Sequence, residues 1–143
     1  MATNLPVGTV HDSMGSESTE RAVWAARFFQ TIDAMDSPGF AAYFLPDGSF
    51  RMGNAPASVG RDAIETFVRG FFAALGGIGH QITGLWENQD TLLSEGVVTY
   101  QTHSGQTIEL GYLGVMEFDG EWIREYRAYI DPAPLMAALQ GAG

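Results

Sequence analysis

The residues that could carry out chemistry in this chain are few, and they favour acid/base catalysis. The sequence holds three histidines and no cysteine, so neither thiolate chemistry nor a disulfide framework is available. The histidines are scattered, with no His-x-His or His-x-x-x-His spacing, and the pair Gly76-Gly77 is typical of a helix end rather than of a phosphate-binding loop. We therefore expect no metal and no cofactor. Imidazole, carboxylate and phenol groups remain as candidates for proton transfer.

The charge balance narrows the class of partner. Seven basic side chains stand against 17 acidic ones, which gives a net charge of −10. A field of that sign repels the phosphates of nucleic acids and the surface of anionic membranes. The first fifteen residues lack a signal-peptide pattern, and no apolar stretch approaches the roughly 20 residues needed to cross a bilayer. We expect a cytoplasmic protein that binds a small molecule and contacts neither nucleic acid nor membrane.

Aromatic side chains are abundant for a chain of this length. Nine Phe, five Tyr and three Trp residues must be placed within 143 residues. Such rings either fill a solid core or line a cavity, and composition alone leaves both arrangements open.

The hydrophobic pattern predicts a flexible N-terminal arm at 1–17 and a single domain at 18–143. Helical spacing of apolar residues predicts helices over 18–35, 40–45 and 61–75, with a short strand over 49–52 and a loop over 53–59. Two-residue alternation predicts long strands over 80–87, 91–102, 107–118 and 122–130, followed by a helical tail over 135–139. Helices segregated from strands in this way predict an α+β fold, in which three N-terminal helices pack on one face of a curved antiparallel sheet.

Five short motifs carry a resemblance to a known family. They are Phe28-Phe29-x-x-Ile32-Asp33-Ala34-x-Asp36, Tyr43-Phe44-x-x-Asp47-Gly48, Gly60-Arg61-Asp62-Ala63-Ile64, Leu113-Gly114-Val115 and Tyr126-Arg127-x-Tyr129-Ile130-Asp131. In this order, over about residues 20–140, the chain resembles the SnoaL-like branch of the nuclear-transport-factor-2-like superfamily. The resemblance implies a cystatin-like cone with an internal pocket, and a homodimer formed through the outer sheet face. The superfamily includes isomerases, dehydratases, cyclases, epoxide hydrolases and non-catalytic binders, so the activity stays open.

The layout is similar to that of limonene epoxide hydrolases, but their functional residues are missing. The positions of their arginine and two aspartates are Gly96, Val98 and Ala128 here, and those of their tyrosine and asparagine are Phe50 and Met52. None of these five side chains can bind or activate water, which argues against epoxide hydrolysis by that route.

A resemblance to the scytalone and bile-acid dehydratases instead implies a catalytic pair of Asp33 and His80. Asp33 would end the first helix and His80 would open the first long strand. A carboxylate fixes the tautomer of an imidazole and stabilises its protonated form, so such a pair suits proton shuttling. The alternatives are an Asp33 that is solvated or bonded within its helix end, and a His80 that packs against Trp86 or a helix. His103 resembles a second histidine of the scytalone enzyme, but strand alternation places it on the outer face.

The remaining candidates follow from strand alternation and from the apolar faces. If the strands keep the register that the resemblance to limonene epoxide hydrolases implies, Tyr112 and Tyr126 face the pocket. Either could hold a substrate carbonyl with its phenol hydroxyl, and simple packing is the equal alternative. Arg124 has the same parity as Tyr126 and would need an acidic partner if buried. Arg127, Tyr129 and Asp131 should face away. The predicted pocket walls are Phe28, Phe50, Met52, Phe67, Phe71, Trp86, Val98, Tyr100, Tyr112 and Ala128, for each of which a core role is the simpler interpretation.

These observations predict a cofactor-independent dehydratase, isomerase or cyclase. Its substrate would be a small, hydrophobic, carbonyl-bearing metabolite of polyketide, terpenoid or steroid kind, with Asp33, His80 and Tyr126 as catalytic residues. The alternative is a non-catalytic ligand-binding or dimerisation module of the same fold. An epoxide hydrolase with a non-standard site is a third, weaker interpretation.

Overall fold

The structure is a computed structural model, and it describes residues 10–12 and 19–141. The predicted flexible arm therefore lies outside the described residues except at Val10–Asp12, which forms strand β1. The predicted first residue of the leading helix, residue 18, also lies outside them.

The described helices are α1 (Thr19–Asp33), α2 (Ser37–Ala42), α3 (Arg61–Ala73) and α4 (Ala133–Gly141). Helix α1 buries Ala25, Phe28, Phe29 and Ile32, whose spacing puts them on one face of the helix. Helix α3 buries Ile64, Val68 and Phe72 in the same manner. The described part of the chain has no helix that is both long enough and apolar enough to span a lipid bilayer.

Helix α2 begins three residues earlier than the sequence pattern predicts. The Asp36 side chain caps it, because its Oδ1 accepts the backbone N–H of Gly39 at 3.0 Å, and Pro38 occupies the first turn, where a missing N–H costs nothing. The segment from Asp36 to Gly39 therefore starts a helix rather than forming a long break. The turn between α1 and α2 is short, with Met35 at a φ of 55°.

The described strands form one seven-stranded sheet in the order β1-β4-β5-β6-β7-β2-β3. After β1 they are β2 (Phe44–Met52), β3 (Ser58–Val59), β4 (Gly77–Asn88), β5 (Thr91–Gln101), β6 (Thr107–Asp119) and β7 (Trp122–Tyr129). Strands β4 to β7 form the predicted antiparallel meander. The pattern missed the parallel pairs β1–β4 and β2–β7, and the two-residue strand β3 within the predicted loop.

The sheet curves around α1 to α3, which confirms the predicted α+β class and cone-like architecture. Helix α1 packs against β4, and α3 packs against β2 and α2. The parallel pairing of β2 with β7 sets Phe50 opposite Tyr126 and Met52 opposite Ala128. This pairing joins the N-terminal half of the chain to the last strand of the sheet.

Two β-bulges reverse the alternation of side chains and correct two of the predicted pocket residues. In β4 the register shifts between Ile82 and Gly84, and Ile82 and Leu85 are both buried although they are three residues apart. An extra residue in one strand turns the following side chains to the opposite face. Trp86 is consequently 39% exposed and is not a pocket wall.

The second bulge lies in β7, where Ile123 pairs with Phe118 but Glu125 pairs with Glu117, so that Arg124 is the extra residue. The side chain of Arg124 is 58% exposed, and its guanidinium lies 3.1 Å from Glu117 Oε1. The prediction that Arg124 shares the inward orientation of Tyr126 is therefore wrong.

Candidate active site

An apolar pocket of about 60 Å³ lies between the inner face of the sheet and helices α1 to α3. Eight of the predicted walls line it: Phe50, Met52, Phe67, Phe71, Val98, Tyr100, Tyr112 and Ala128. His80 and Tyr126 line it as well. The sequence interpretation missed Ile32, Phe40, Val68, Phe72, Ile78 and Ile130, although Val68 and Phe72 lie on the regular apolar face of α3 and could have been included on that ground.

Asp33 and His80 form a buried pair at the wall of this pocket. Asp33 is the last residue of α1, and its Oδ1 lies 2.6 Å from His80 Nδ1. Its second oxygen, Oδ2, accepts the backbone N–H of His80 at 3.0 Å. The two side chains are 3% and 9% exposed, respectively. A carboxylate that binds both the ring and the backbone of one residue holds the imidazole in a single orientation.

The hydrogen bond to Asp33 assigns the tautomer of the neutral imidazole. An ionised carboxylate only accepts hydrogen bonds, so Nδ1 carries the proton and Nε2 keeps its lone pair. His80 lines the pocket whereas Asp33 does not, which places the carboxylate behind the ring. Nε2 is therefore the nitrogen that is available to the pocket. The ring is held further by Phe29 and Tyr112, at centroid distances of 4.9 and 5.4 Å.

Two phenol hydroxyls converge on one cross-strand pair of small residues. The Tyr112 hydroxyl lies 3.3 Å from Ser94 Oγ. The ring of Tyr126 lies over Gly114, where an added Cβ would be 3.3 Å from the phenol oxygen and 3.0 Å from Cε1. Ser94 and Gly114 are direct partners between β5 and β6, so their side-chain positions are adjacent. The two phenols are therefore neighbours, and both line the pocket.

Burial keeps these phenols protonated and able to donate. It raises the pKa of Tyr112 to about 12, and the nearby Asp33 carboxylate raises it further while the Ser94 hydroxyl lowers it. The pKa of Tyr126 is raised mainly by burial and then by the neighbouring Tyr112 and Tyr100. Burial also raises the pKa of Tyr100. At neutral pH these groups are hydrogen-bond donors, not phenolate bases.

Several predicted residues lie elsewhere. Phe28 is fully buried in an aromatic cluster with Trp24, Phe40 and Tyr43 and is a core residue rather than a pocket wall. His103 is exposed in the turn between β5 and β6, with Nε2 2.9 Å from the carbonyl oxygen of Ala73 at the end of α3, so it does not lie on the outer face of the sheet.

The outer face of β7 carries two residues that strand alternation predicts there. Tyr129 is 54% exposed, and Arg127 pairs with Glu117 and Glu125. Within residues 10–12 and 19–141, no group of three His, Asp or Glu side chains is arranged to hold a metal ion.

Comparison with known proteins agrees with the architecture. The family model of the SnoaL-like domain matches residues 25–126. A candidate SnoaL-like polyketide cyclase from Jannaschia sp. CCS1 superposes with a TM-score of 0.72, over 87% of this chain and 97% of its own, at 13% identity. TerC, co-crystallised with polyporic acid, gives a TM-score of 0.71 over 82% and 97% of the two chains at 15% identity.

An epoxide hydrolase of Mycobacterium tuberculosis, similar to limonene epoxide hydrolase, gives a TM-score of 0.67 over 84% and 87% of the chains at 20% identity. Identities this low establish a shared fold and nothing about activity. No curated protein sequence matches the chain.

Proposed function

We propose that this chain, which belongs to the SnoaL-like domain family, is a cofactor-independent acid/base enzyme. It would act as a dehydratase, isomerase or cyclase on a small, hydrophobic, carbonyl-bearing metabolite. The observation that carries the proposal is the distance of 2.6 Å between Asp33 Oδ1 and His80 Nδ1 at the wall of an apolar pocket. A carboxylate bonded to Nδ1 fixes the tautomer of the imidazole and stabilises the imidazolium that a base forms during turnover.

His80 is the proposed base. Its Nε2 takes a proton from the carbon next to the substrate carbonyl, and the C–H electron pair moves into the enolate. The Asp33 carboxylate stabilises the imidazolium that results. The same imidazolium then returns the proton, either to a second carbon, which is isomerisation, or to a departing hydroxyl, which is dehydration. Both routes conserve protons and electrons and need no co-reactant.

Tyr126 is the proposed donor to the substrate carbonyl, with Tyr112 beside it. Negative charge develops on that oxygen as the enolate forms, and fixed donors in a dry site stabilise it strongly. Both phenols reach the same cross-strand pair, Ser94 and Gly114. Since burial raises the pKa of both groups, they stay protonated throughout turnover and lower the energy of the enolate by hydrogen bonding alone.

The size of the pocket favours a compact substrate. Its volume of about 60 Å³ is well below the roughly 300–1,000 Å³ of sites for drug-sized ligands. It is also smaller than the roughly 150 Å³ cavity that holds one benzene ring, so a ring-sized substrate of polyketide or terpenoid kind requires the pocket to widen, and a four-ring steroid requires far more. The co-crystallisation of TerC with polyporic acid and the description of the Jannaschia protein as a polyketide cyclase agree with that class.

Solvent exchange tests the proposed base without knowledge of the final product. The α-protons of 2-tetralone, incubated with the protein in D₂O, are followed by ¹H NMR for the wild type and His80→Gln. We expect the variant to lose about 10²–10⁴-fold in exchange rate while its circular dichroism and melting temperature stay close to those of the wild type. His103→Gln, at the exposed histidine, is the matched control and should keep full activity.

The alternative is a non-catalytic ligand-binding module, which the largely apolar pocket also suits. In that case the wild type would bind 2-tetralone, detected as a rise in melting temperature, without accelerating exchange. An exchange rate in His80→Gln equal to that of the wild type would likewise rule out His80 as the base.

A further inference from the structure

Two buried phenol hydroxyls in the pocket have no hydrogen-bond partner among the residues that the structure describes. Tyr100 and Tyr126 are 3% and 4% exposed, and both line the pocket. Among the described residues no group hydrogen-bonds to either hydroxyl, whereas the Tyr112 hydroxyl meets Ser94. Among the described residues, every fully buried side-chain nitrogen or oxygen has a hydrogen-bond partner. The unpaired hydroxyls of Tyr100 and Tyr126 are therefore not fully buried, and we infer that they face the pocket. A buried donor of this kind normally has a partner, and a ligand oxygen in the pocket would supply it.

The strand register separates the backbone positions of the two tyrosines and places His80 between them. Tyr100 on β5 pairs with Ile78 of β4, and His80 pairs with Val98, two residues before Tyr100. The Tyr126 hydroxyl lies at Gly114, the partner of Ser94, which is six residues before Tyr100 on β5. Along the sheet, the backbone order is therefore Tyr126, His80 and Tyr100. A substrate whose carbonyl meets Tyr126 and whose α-carbon meets His80 presents its far end to Tyr100.

The described residues that line the pocket include no arginine or lysine to neutralise an acidic substrate. All seven basic residues of the chain are arginines, and none of them lines the pocket. Those nearest in sequence to the pocket-lining part of β7, Arg124 and Arg127, are held by Glu117 on the outer face. The Asp33 carboxylate already lies behind His80. A second carboxylate would be desolvated here without compensation, which is costly.

We propose that Tyr100 is a second recognition point, which donates its hydroxyl to an uncharged oxygen at the end of the substrate remote from the reacting carbonyl. This rests on the proposed function, because that function assigns the carbonyl to the Tyr126 end. The substrate class is then a compact, neutral ring with two oxygen functions, and free carboxylates are excluded. A reaction that supplies this substrate must leave any acid group esterified, reduced or removed.

Three probes of matched size test the role of Tyr100: 4-methoxycyclohexanone, 4-ethylcyclohexanone, in which a methylene replaces the ether oxygen, and 4-oxocyclohexane-1-carboxylate. Their dissociation constants are measured by NMR titration of the wild-type protein, Tyr100→Phe and, as the control, Tyr129→Phe at an exposed phenol. In Tyr100→Phe, the ratio of the methoxy to the ethyl constant should rise by about 2- to 10-fold, the range of one neutral hydrogen bond. The control should leave the ratio unchanged, and the carboxylate should bind at least about 10-fold more weakly than the methoxy compound to the wild type.

An unchanged ratio in Tyr100→Phe, with equal losses for the methoxy and ethyl compounds, would make Tyr100 a packing residue and overturn the proposal. The proposal would also fail if the carboxylate bound as tightly as the ether, or if neither neutral probe bound the wild type. The α-proton exchange of the same ketones in D₂O is recorded in parallel. Selectivity for the methoxy compound without exchange would keep the Tyr100 assignment and refute the acid/base function, so the two failures are distinguishable.

Discussion

Replacing Asp33 by asparagine should reverse the tautomer of His80 and abolish its action as a base. The asparagine carbonyl can still accept the backbone N–H of His80, as Oδ2 does now at 3.0 Å. Its NH₂ group then faces Nδ1, where Oδ1 lies at 2.6 Å. Because an amide nitrogen only donates, Nδ1 must accept and the proton moves to Nε2. The nitrogen that faces the pocket then has no lone pair to receive a substrate proton.

The expected loss of rate is much larger than the loss of stability. General-base catalysis contributes about 10²–10⁴-fold, which corresponds to about 3–5 kcal/mol of barrier. The folded protein exchanges one charge-assisted hydrogen bond for a neutral one, a difference of about 1–2 kcal/mol. The Asp33 side chain is 3% exposed, so its ionised carboxylate is costly to bury. Replacing it by a neutral amide removes that cost and offsets part of the difference.

Three measurements follow the Asp33→Asn variant. Long-range ¹H–¹⁵N NMR of histidine-labelled protein reports the tautomer of His80, with the exposed His103 as an internal reference. Exchange of 2-tetralone protons in D₂O reports the rate, and urea unfolding reports the free energy of unfolding. Asp36→Asn is the matched control, because an asparagine still caps α2. A variant that keeps the Nδ1–H tautomer, or one that exchanges within about twofold of the wild type while the tautomer is reversed, would refute this reasoning.

Two further perturbations probe the phenols that surround the reacting oxygen. Gly114→Ala places a Cβ 3.0 Å from Tyr126 Cε1, so it should displace the ring, lower the exchange rate of 2-tetralone and reduce the free energy of unfolding by about 1–3 kcal/mol. Gly111→Ala on the same strand, with nothing within 4 Å of the new Cβ, should change neither, and equal effects of the two variants would contradict the placement of Tyr126. Alkaline pH should destabilise the protein through Tyr112, whose pKa is raised from 10.0 to about 12 in the folded state. The folded chain then holds a proton that the unfolded chain loses, so the free energy of unfolding is unaffected below pH 10 and falls by up to about 3 kcal/mol between pH 10 and 12. Urea titrations across this range should show a smaller fall in Tyr112→Phe, and identical slopes would argue against a buried, protonated Tyr112.

Local patterns in the sequence predict the elements of this fold well, because each element buries one face. The spacing of Phe28, Phe29 and Ile32 fixes the buried face of α1, and the alternation in β5 and β6 fixes which side chains turn inward. The Asp33–His80 pair is different, since 47 residues separate its members and no spacing rule joins them. Only the resemblance to a family predicted that the end of one helix would meet the start of one strand.

Local sequence patterns do not predict which distant strands pair or where the strand register is interrupted. Nothing in the sequence near Phe44 indicates that β2 runs parallel to β7. The pattern of the first residues of β2 is equally consistent with the end of a helix. The bulge in β4 has one visible sign, Gly84, because a glycine inside a strand often marks a bulge or a close approach. The indole of Trp86 lies over that glycine, which explains why the strand turns its tryptophan outward there.

The bulge in β7 has no such sign, yet it decides whether a cation is buried beneath this strand. Without the extra residue at Arg124, strict alternation back from Tyr126 would direct the guanidinium inward. A cation there would favour an anionic ligand and would oppose the positive charge that His80 gains when it takes a proton. The bulge instead turns Arg124 to the outer face, where it pairs with Glu117, and leaves Ile123 buried. A one-residue change in strand register therefore keeps a permanent positive charge out of the buried core next to Tyr126.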